Sequence, residues 1–305
     1  MGTGSQVVAI AGGTGFVGGA IAREMAARGH RVVVLTHRKT AAPSGSTLEY
    51  RAADVTRPES LATALADVEA LVISLAFRNS PVEAPRRGQT FELVDAAGTE
   101  ALVAAAKASG VRRLIYMSGA GAAPDAPKHW FRAKWRAEEA VRGAGITYTI
   151  LRPSWIYGPG DRSLNRFLGM SRWLPFVPQI GSGRQLLSPV FVVDMGALAA
   201  DALITPAAEN AILEVGGPET LTMDQVIRAA LRVMGRRRFI LHAPVVVMKV
   251  LTAPLTLLPA PPMRPSAIEF VVQSAPVDTA PLTAALPRRL TTLTGALGTY
   301  LGPGR

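Results

Sequence analysis

The chain of 305 residues is 49% apolar and 18% charged, a balance that supports a sizeable core and excludes intrinsic disorder. It has no cysteine, which removes disulfides, thiolate catalysis and cysteine-ligated metals, and its four histidines show no metal-ligand spacing. A formal charge of +11 favours anionic partners: a phosphorylated cofactor, an acidic protein surface or anionic lipid, unless the excess is only a solvated basic surface.

The opening "MGTGSQ" leads straight into an apolar strand, without a charged start or a cleavable apolar core, and Gln6 breaks the myristoylation pattern. "QVVAIAG" reads as a buried strand, followed by a helix from about Gly15 to Ala27. Then come "RVVVLT", a helix through "PESLATAL", the strand "EALVISLA", a long helix "VDAAGTEALVAAAKASG" and the strand "RRLIYMSG". The helix "FRAKWRAEEAVRGAG" and the strand "TYTILRP" close the first half. Short apolar strands alternating with helices predict an α/β class, a Rossmann-type doubly wound parallel sheet with right-handed crossovers.

After Pro153 the rhythm changes. "SWIYGPGDRS" reads as a loop, "LNRFLGMSRWLPF" as a helix, "LSPVFVVDMGALAADALI" as a short strand feeding a helix, "AILEVGG" as a strand and "TMDQVIRAALRVMG" as a helix. The last stretch is apolar, proline-punctuated and mainly helical. This divides the chain into a dinucleotide-binding domain over residues 1–153 and a smaller, mainly helical substrate- or partner-side domain over 154–305, interleaved with the sheet. Val250 to Met263 is the longest uncharged apolar stretch near the end. It is broken by four prolines and falls short of the roughly 20 residues that span a bilayer.

The run "AIAGGTGFVGGAIA" sets Gly12, Gly15 and Gly18 in a Gly-x-x-Gly-x-x-Gly spacing between the first strand and first helix. Dinucleotide binding needs glycine there, for a tight turn and for close approach of the backbone to a pyrophosphate at a helix N-terminus. A glycine-rich structural turn is the plainer alternative, but the strand before and the amphipathic helix after favour the cofactor. At the end of the second strand no acidic residue occurs from Arg31 through Lys39 to accept from a ribose 2′-hydroxyl. Arg38 stands there instead, and a guanidinium suits a 2′-phosphate, so NADP(H) is favoured over NAD(H). Asp54, in "AADVTRPESL", is placed to accept from the adenine amino group and equally to start a helix.

The blocks "AGGTGFVG", "ADVTRPESL", "SGVRRLIYMSG", "FRAKWRAEEAVRGAGITYTILRPSWIYGPGD", "PVFVVDMGALAADAL" and "EVGGPETLTMDQVI" resemble successive segments of the atypical and extended short-chain dehydrogenase/reductase superfamily. The likeness is to the NAD(P)H-binding branch that includes an accessory subunit of respiratory complex I, and it covers about residues 6 to 235. The resemblance implies a Rossmann core with a nucleotide across the strand carboxyl ends, and a Ser, Tyr and Lys trio in active members. Ser118 matches the serine and Lys134 the lysine, while Trp130 stands at the tyrosine position. The cofactor-binding set it implies is Gly12, Thr14, Gly15, Phe16, Val17, Gly18, Arg38, Asp54, Val55, Leu75, Ala76, Ser118, Lys134 and Pro153, with Trp130, Trp155 and Tyr157 on the substrate side.

In active members the tyrosine exchanges a proton with the substrate oxygen as hydride moves, and the lysine lowers its pKa and holds the nicotinamide ribose. An indole N–H is a donor without useful acidity, so Trp130 cannot be that acid. None of the five tyrosines is followed by lysine at the fourth position. Ser118 can equally be an ordinary strand-end serine, and Lys134 can act as an acid or only hold the ribose. Three readings follow: an accessory, structural or redox-sensing NADP(H)-binding protein, an NADPH-dependent quinone or carbonyl reductase working without the tyrosine, and, ranked last, a nucleotide-sugar epimerase or dehydratase.

"VIRAALRVMGRRRF" sets Arg228, Arg232 and Arg236 along one predicted helix face, followed by the largely apolar "APVVVMKVLTAPLTLLPAPPM". A basic stripe beside an apolar segment suits a membrane surface or a multi-subunit partner, and also suits a helix packed on the sheet with its arginines solvated. No nucleic-acid motif and no metal motif is present. The location expected is cytoplasmic, with peripheral placement on the inner membrane face as a variant.

Overall fold

In the computed structural model, which describes residues 4–37, 47–258 and 263–302, the first half of the chain supplies strands β1 (Val7–Ala11), β2 (Arg31–Thr36), β3 (Glu49–Ala52), β4 (Ala70–Ile73), β5 (Arg113–Met117) and β6 (Thr147–Pro153). The second half adds β7 (Trp155–Tyr157), β8 (Phe176–Ile180), β9 (Leu186–Leu187), β10 (Pro189–Phe191), β11 (Ala211–Val215), β12 (Leu221–Thr222) and β13 (Phe239–Ala243). Seven of these form one parallel sheet in the order β3-β2-β1-β4-β5-β6-β11, so β11 completes the sheet from the far half of the sequence.

The strands alternate between two apolar layers. Val8 and Ile10 of β1, with Val32 and Val34 of β2, face one core; Ala9 and Ala11, with Val33 and Leu35, face the other. Burial on both faces is why these strands read as unbroken apolar runs. Helices α1 (Phe16–Ala27) and α6 (Val192–Ile204) contribute to the first layer. The second is made by α2 (Glu59–Ala64), α3 (Gly98–Ala108) and α4 (His129–Arg142).

A third core, from Tyr157, Val177, Ile227, Leu231 and Leu297, holds together α5 (Leu164–Met170), α7 (Met223–Val233) and α11 (Leu293–Leu301). Thr222 and Gln225 cap α7 reciprocally, each side chain meeting the other residue's backbone N–H. The remaining helices, α8 (Val245–Thr252), α9 (Pro265–Val271) and α10 (Ala280–Ala285), follow the β8–β13 ribbon.

Four local expectations are corrected. "SWIYGPGDRS" is not all loop, because β7 pairs with β10 through Trp155, Ile156 and Tyr157. The helix expected over "LNRFLGMSRWLPF" ends at Met170; Pro175 disfavours helix in the residue before it, and Phe176 opens β8. The long helix before "RRLIYMSG" begins as a π-helical segment over Phe91–Ala97. Arg236 does not continue the stripe of Arg228 and Arg232, since α7 ends at Val233 and Arg236 turns back to donate to Ser171 Oγ at 3.2 Å.

Candidate dinucleotide site

Strand β1 ends at Ala11 and the chain turns at Gly12, whose φ of +83° is a left-handed conformation open to glycine. A Cβ on Gly12 would sit 2.1 Å from the Ser74 carbonyl oxygen, and one on Gly18 would sit 2.2 Å from the Gly12 oxygen. Gly15, the N-cap of α1, donates its N–H to the Gly12 oxygen at 2.8 Å, and no acidic residue lies in the helix's first turn. One glycine makes the turn, one leaves its rim bare, and one lets helix and turn touch. The fit to a pyrophosphate rests on this cradle and the free amides of α1's first turn.

β1 has β2 on one side and β4 on the other, so chain direction along the sheet reverses between β1 and β4. That reversal opens a crevice at the strand carboxyl ends. A cleft of about 1110 Å³ lies there. Gly12, Thr14, Gly15 and Phe16 line it from the turn, Thr36 and His37 from β2, Asp54 and Val55 beyond β3, Leu75 and Ala76 beyond β4, and Trp155 beyond β6. The Asp54 carboxyl is pushed up by burial, but hydrogen bonds from the Thr56 hydroxyl and amide outweigh this and hold it below its usual range. It is a carboxylate at neutral pH, suited to accept from an amino group. Arg38 lies outside the described residues.

The trio positions do not themselves line the cleft, although Phe270, which does, packs on Trp130. Ser118 Oγ donates to Glu138 Oε1 at 2.5 Å, and the fully buried Glu138 accepts a bidentate pair from Arg152 at 2.8 and 2.6 Å. Lys134 Nζ lies 2.7 Å from Asp95 Oδ1 and donates to the Met117 carbonyl at 3.3 Å. Burial opposes a charge on Lys134, yet Asp95 holds its pKa above the ordinary lysine value. Trp130 is buried among Phe91, His129, Phe131 and Phe270, and its Nε1 has no hydrogen-bond partner among the described residues.

Tyr157 is fully buried between Trp155 and Phe191, and burial raises its pKa. Val17 packs on the core, Gly18 supports the turn, and Pro153 is buried at the end of β6. Sequence reasoning missed Arg23, Phe77, Arg78, Gln89 and Phe270, all of which line the cleft. Phe77 directly follows the expected Ala76 and was open to discovery; Phe270 arrives from the tail and carried no local signal. Among the described residues no cluster of His, Asp and Glu is placed to hold a metal ion.

The glycine cradle, the switch-point cleft and the seven-stranded sheet define a Rossmann-type dinucleotide-binding fold. The chain belongs to the NAD(P)H-binding family, whose model matches residues 12–168. It is 31% identical over 230 residues to the mitochondrial NADH dehydrogenase (ubiquinone) 1 alpha subcomplex subunit 9 of Arabidopsis thaliana, covering 72% of this chain and 56% of that protein. To the ceramide reductase of Caulobacter vibrioides it is 28% identical over 240 residues, 78% of this chain and 74% of that one. A structure of UDP-glucose 4-epimerase from Thermotoga maritima with UDP-glucose matches with a TM-score of 0.75 over 97% of both chains at 16% identity, a likeness of fold. The chain spans 56% and 62% of the length of the first two curated relatives.

Proposed function

We propose that the protein holds NADP(H) in the switch-point cleft as an accessory, structural or redox-sensing element rather than as a catalyst. The observation that carries this is the engagement of all three trio positions: Ser118 with Glu138, Lys134 with Asp95, and Trp130 inside an aromatic cluster. At the position of the family's tyrosine stands Trp130, whose indole N–H has no useful acidity. The preference for the phosphorylated cofactor rests on Arg38 and on the lack of an acid from Arg31 through Lys39. A multi-subunit or membrane-surface setting fits this role, in line with the subunit name of the Arabidopsis relative.

An NADPH-dependent reductase is the second reading. The apolar residues Phe77, Val94 and Phe270 on the cleft wall favour it, as does the likeness to a ceramide reductase. The epimerase reading depends on the missing tyrosine and stays last. The deciding experiment identifies the nucleotide carried by the purified chain and follows NADPH oxidation with quinones and carbonyls. Tight binding without turnover is expected; steady turnover at about 1 s⁻¹ or faster overturns the non-catalytic reading.

A further inference from the structure

Helix α8 is amphipathic in the inverse sense. Val245, Met248, Lys249 and Thr252, at helical i, i+3, i+4 and i+7 spacing, form its inner side; Thr252 is buried and Lys249 turns to Glu269 of α9 at 2.5 Å. The outer side carries only Val246, Val247, Val250 and Leu251, and Val246 is 71% exposed. A helix facing water alone would place polar side chains there. The next turn extends the surface with Leu257, 84% exposed, and Leu258.

The ribbon before the helix continues it. Phe239 and Leu241 alternate outward from β13 while Ile240 joins the core, and Phe239 meets Phe176 of β8 at 5.6 Å. Just ahead of β8, Trp173 is 89% exposed. Exposed apolar side chains in this number, on elements adjoining along the chain, mark a docking face.

Its charge identifies the occupant. From residue 225 to 268 the sequence has Arg228, Arg232, Arg236, Arg237, Arg238, Lys249 and Arg264, and no acidic residue. From 162 to 193 it has Arg162, Arg166, Arg172 and Arg184, again with no acid. β8 and β13 join the two segments side by side. A hollow of about 220 Å³ lies between Arg86 and Arg264, rimmed by Leu257 and Leu258, and Arg264 Nε there is buried without a hydrogen-bond partner among the described residues. Exposed aliphatics, an exposed tryptophan and a net basic field, in which Asp224 pairs with Arg228 and His242 and Glu269 with Lys249 while Arg237 and Arg238 stay exposed, match the apolar boundary and phosphate layer of an anionic bilayer.

We infer that the β8–β13–α8 face docks peripherally on anionic phospholipid, with α8 lying in the membrane surface. This deepens the partner-side role proposed above and rests on that reading. The test sediments the full chain with phosphatidylcholine vesicles and with phosphatidylglycerol-rich vesicles at low and raised salt. Capture by the anionic vesicles, weakened by salt, is expected. The double variant Val250→Glu/Leu251→Glu and the triple variant Arg236→Gln/Arg237→Gln/Arg238→Gln should each reduce capture by on the order of tenfold or more.

No capture, or equal capture by both vesicle types, overturns the inference. So does capture that both variants leave unchanged. Concentration-dependent dimerisation that Val250→Glu/Leu251→Glu abolishes, without vesicle binding, would assign the face to a second copy and likewise overturn it. NADPH titration of the same samples keeps the two proposals apart. Vesicle binding without nucleotide binding sinks the functional reading alone, and nucleotide binding without vesicle binding sinks this one.

Discussion

Lys134 Nζ and Asp95 Oδ1 form a buried ion pair at 2.7 Å, tying the middle of α4 to the π-helical segment that precedes α3. Both residues are enclosed, and burial pushes the Asp95 carboxyl up while Lys134 pulls it back. The lysine therefore has a structural partner independent of any bound nucleotide. Lys134→Met should leave Asp95 buried without a cation and destabilise the fold by about 3–5 kcal/mol in urea denaturation. Lys134→Met/Asp95→Leu should recover most of that loss. Nucleotide affinity should fall by less than about tenfold in the double variant, a factor worth about 1.4 kcal/mol; a far larger fall would make ribose binding the lysine's main role.

Gly12→Ala tests the cradle. The new methyl meets the Ser74 carbonyl at a position where φ is already left-handed, so turn and strand must part. The backbone cost alone is about 1–3 kcal/mol, and NADPH binding followed by fluorescence titration should be lost. Retained binding at wild-type affinity would move the cofactor away from this turn.

Arg38→Ala should weaken NADPH far more than NADH in the same titration, because only the former has a 2′-phosphate for the guanidinium. Equal losses for both nucleotides would refute the phosphate assignment.

Trp130→Tyr puts a phenol four residues before Lys134, inside the packed cluster of Phe91, Phe131 and Phe270. NADPH affinity should change little, and no turnover with quinones or carbonyls should appear. Appearance of steady reductase activity would show that the indole alone was blocking a competent site.

Glu269 links the tail to the body, accepting from Lys128 at the start of α4 and Lys249 of α8. These two hydrogen bonds, then the lysine charges, lower its pKa from 4.5 to about 2 against the opposing effect of burial. Its contribution is present in full above the ordinary value of 4.5 and disappears as pH falls through the folded-state value near 2. The melting temperature of Glu269→Gln should lie below wild type at neutral pH, with the gap closing on acidification below pH 4.5. A gap independent of pH would dissociate the clamp from this carboxylate's ionisation.

The parallel sheet and the glycine turn were legible because both are written in local sequence. A strand buried on both faces must read as an apolar run, and Gly12 and Gly18 occupy positions that a Cβ would fill. The second half was less readable. The run "AILEVGG" predicts β11 as a strand, but nothing nearby in sequence says that it pairs with β6. The helix expected through Trp173 gave way to β8 because that segment's ribbon partner, β13, lies far along the chain.

The sequence by itself determined the glycine turn, the absence of an acid at the end of β2, and a tryptophan rather than a tyrosine four residues before Lys134. Each depends on residue type and spacing within one or two elements. The tertiary structure decided what the polar groups do: Ser118 meets Glu138, Lys134 meets Asp95, and Phe270 from the tail closes over Trp130. A buried charge or hydroxyl takes whichever partner the fold brings within hydrogen-bonding reach, and partners from separate elements share a site only once the chain has packed.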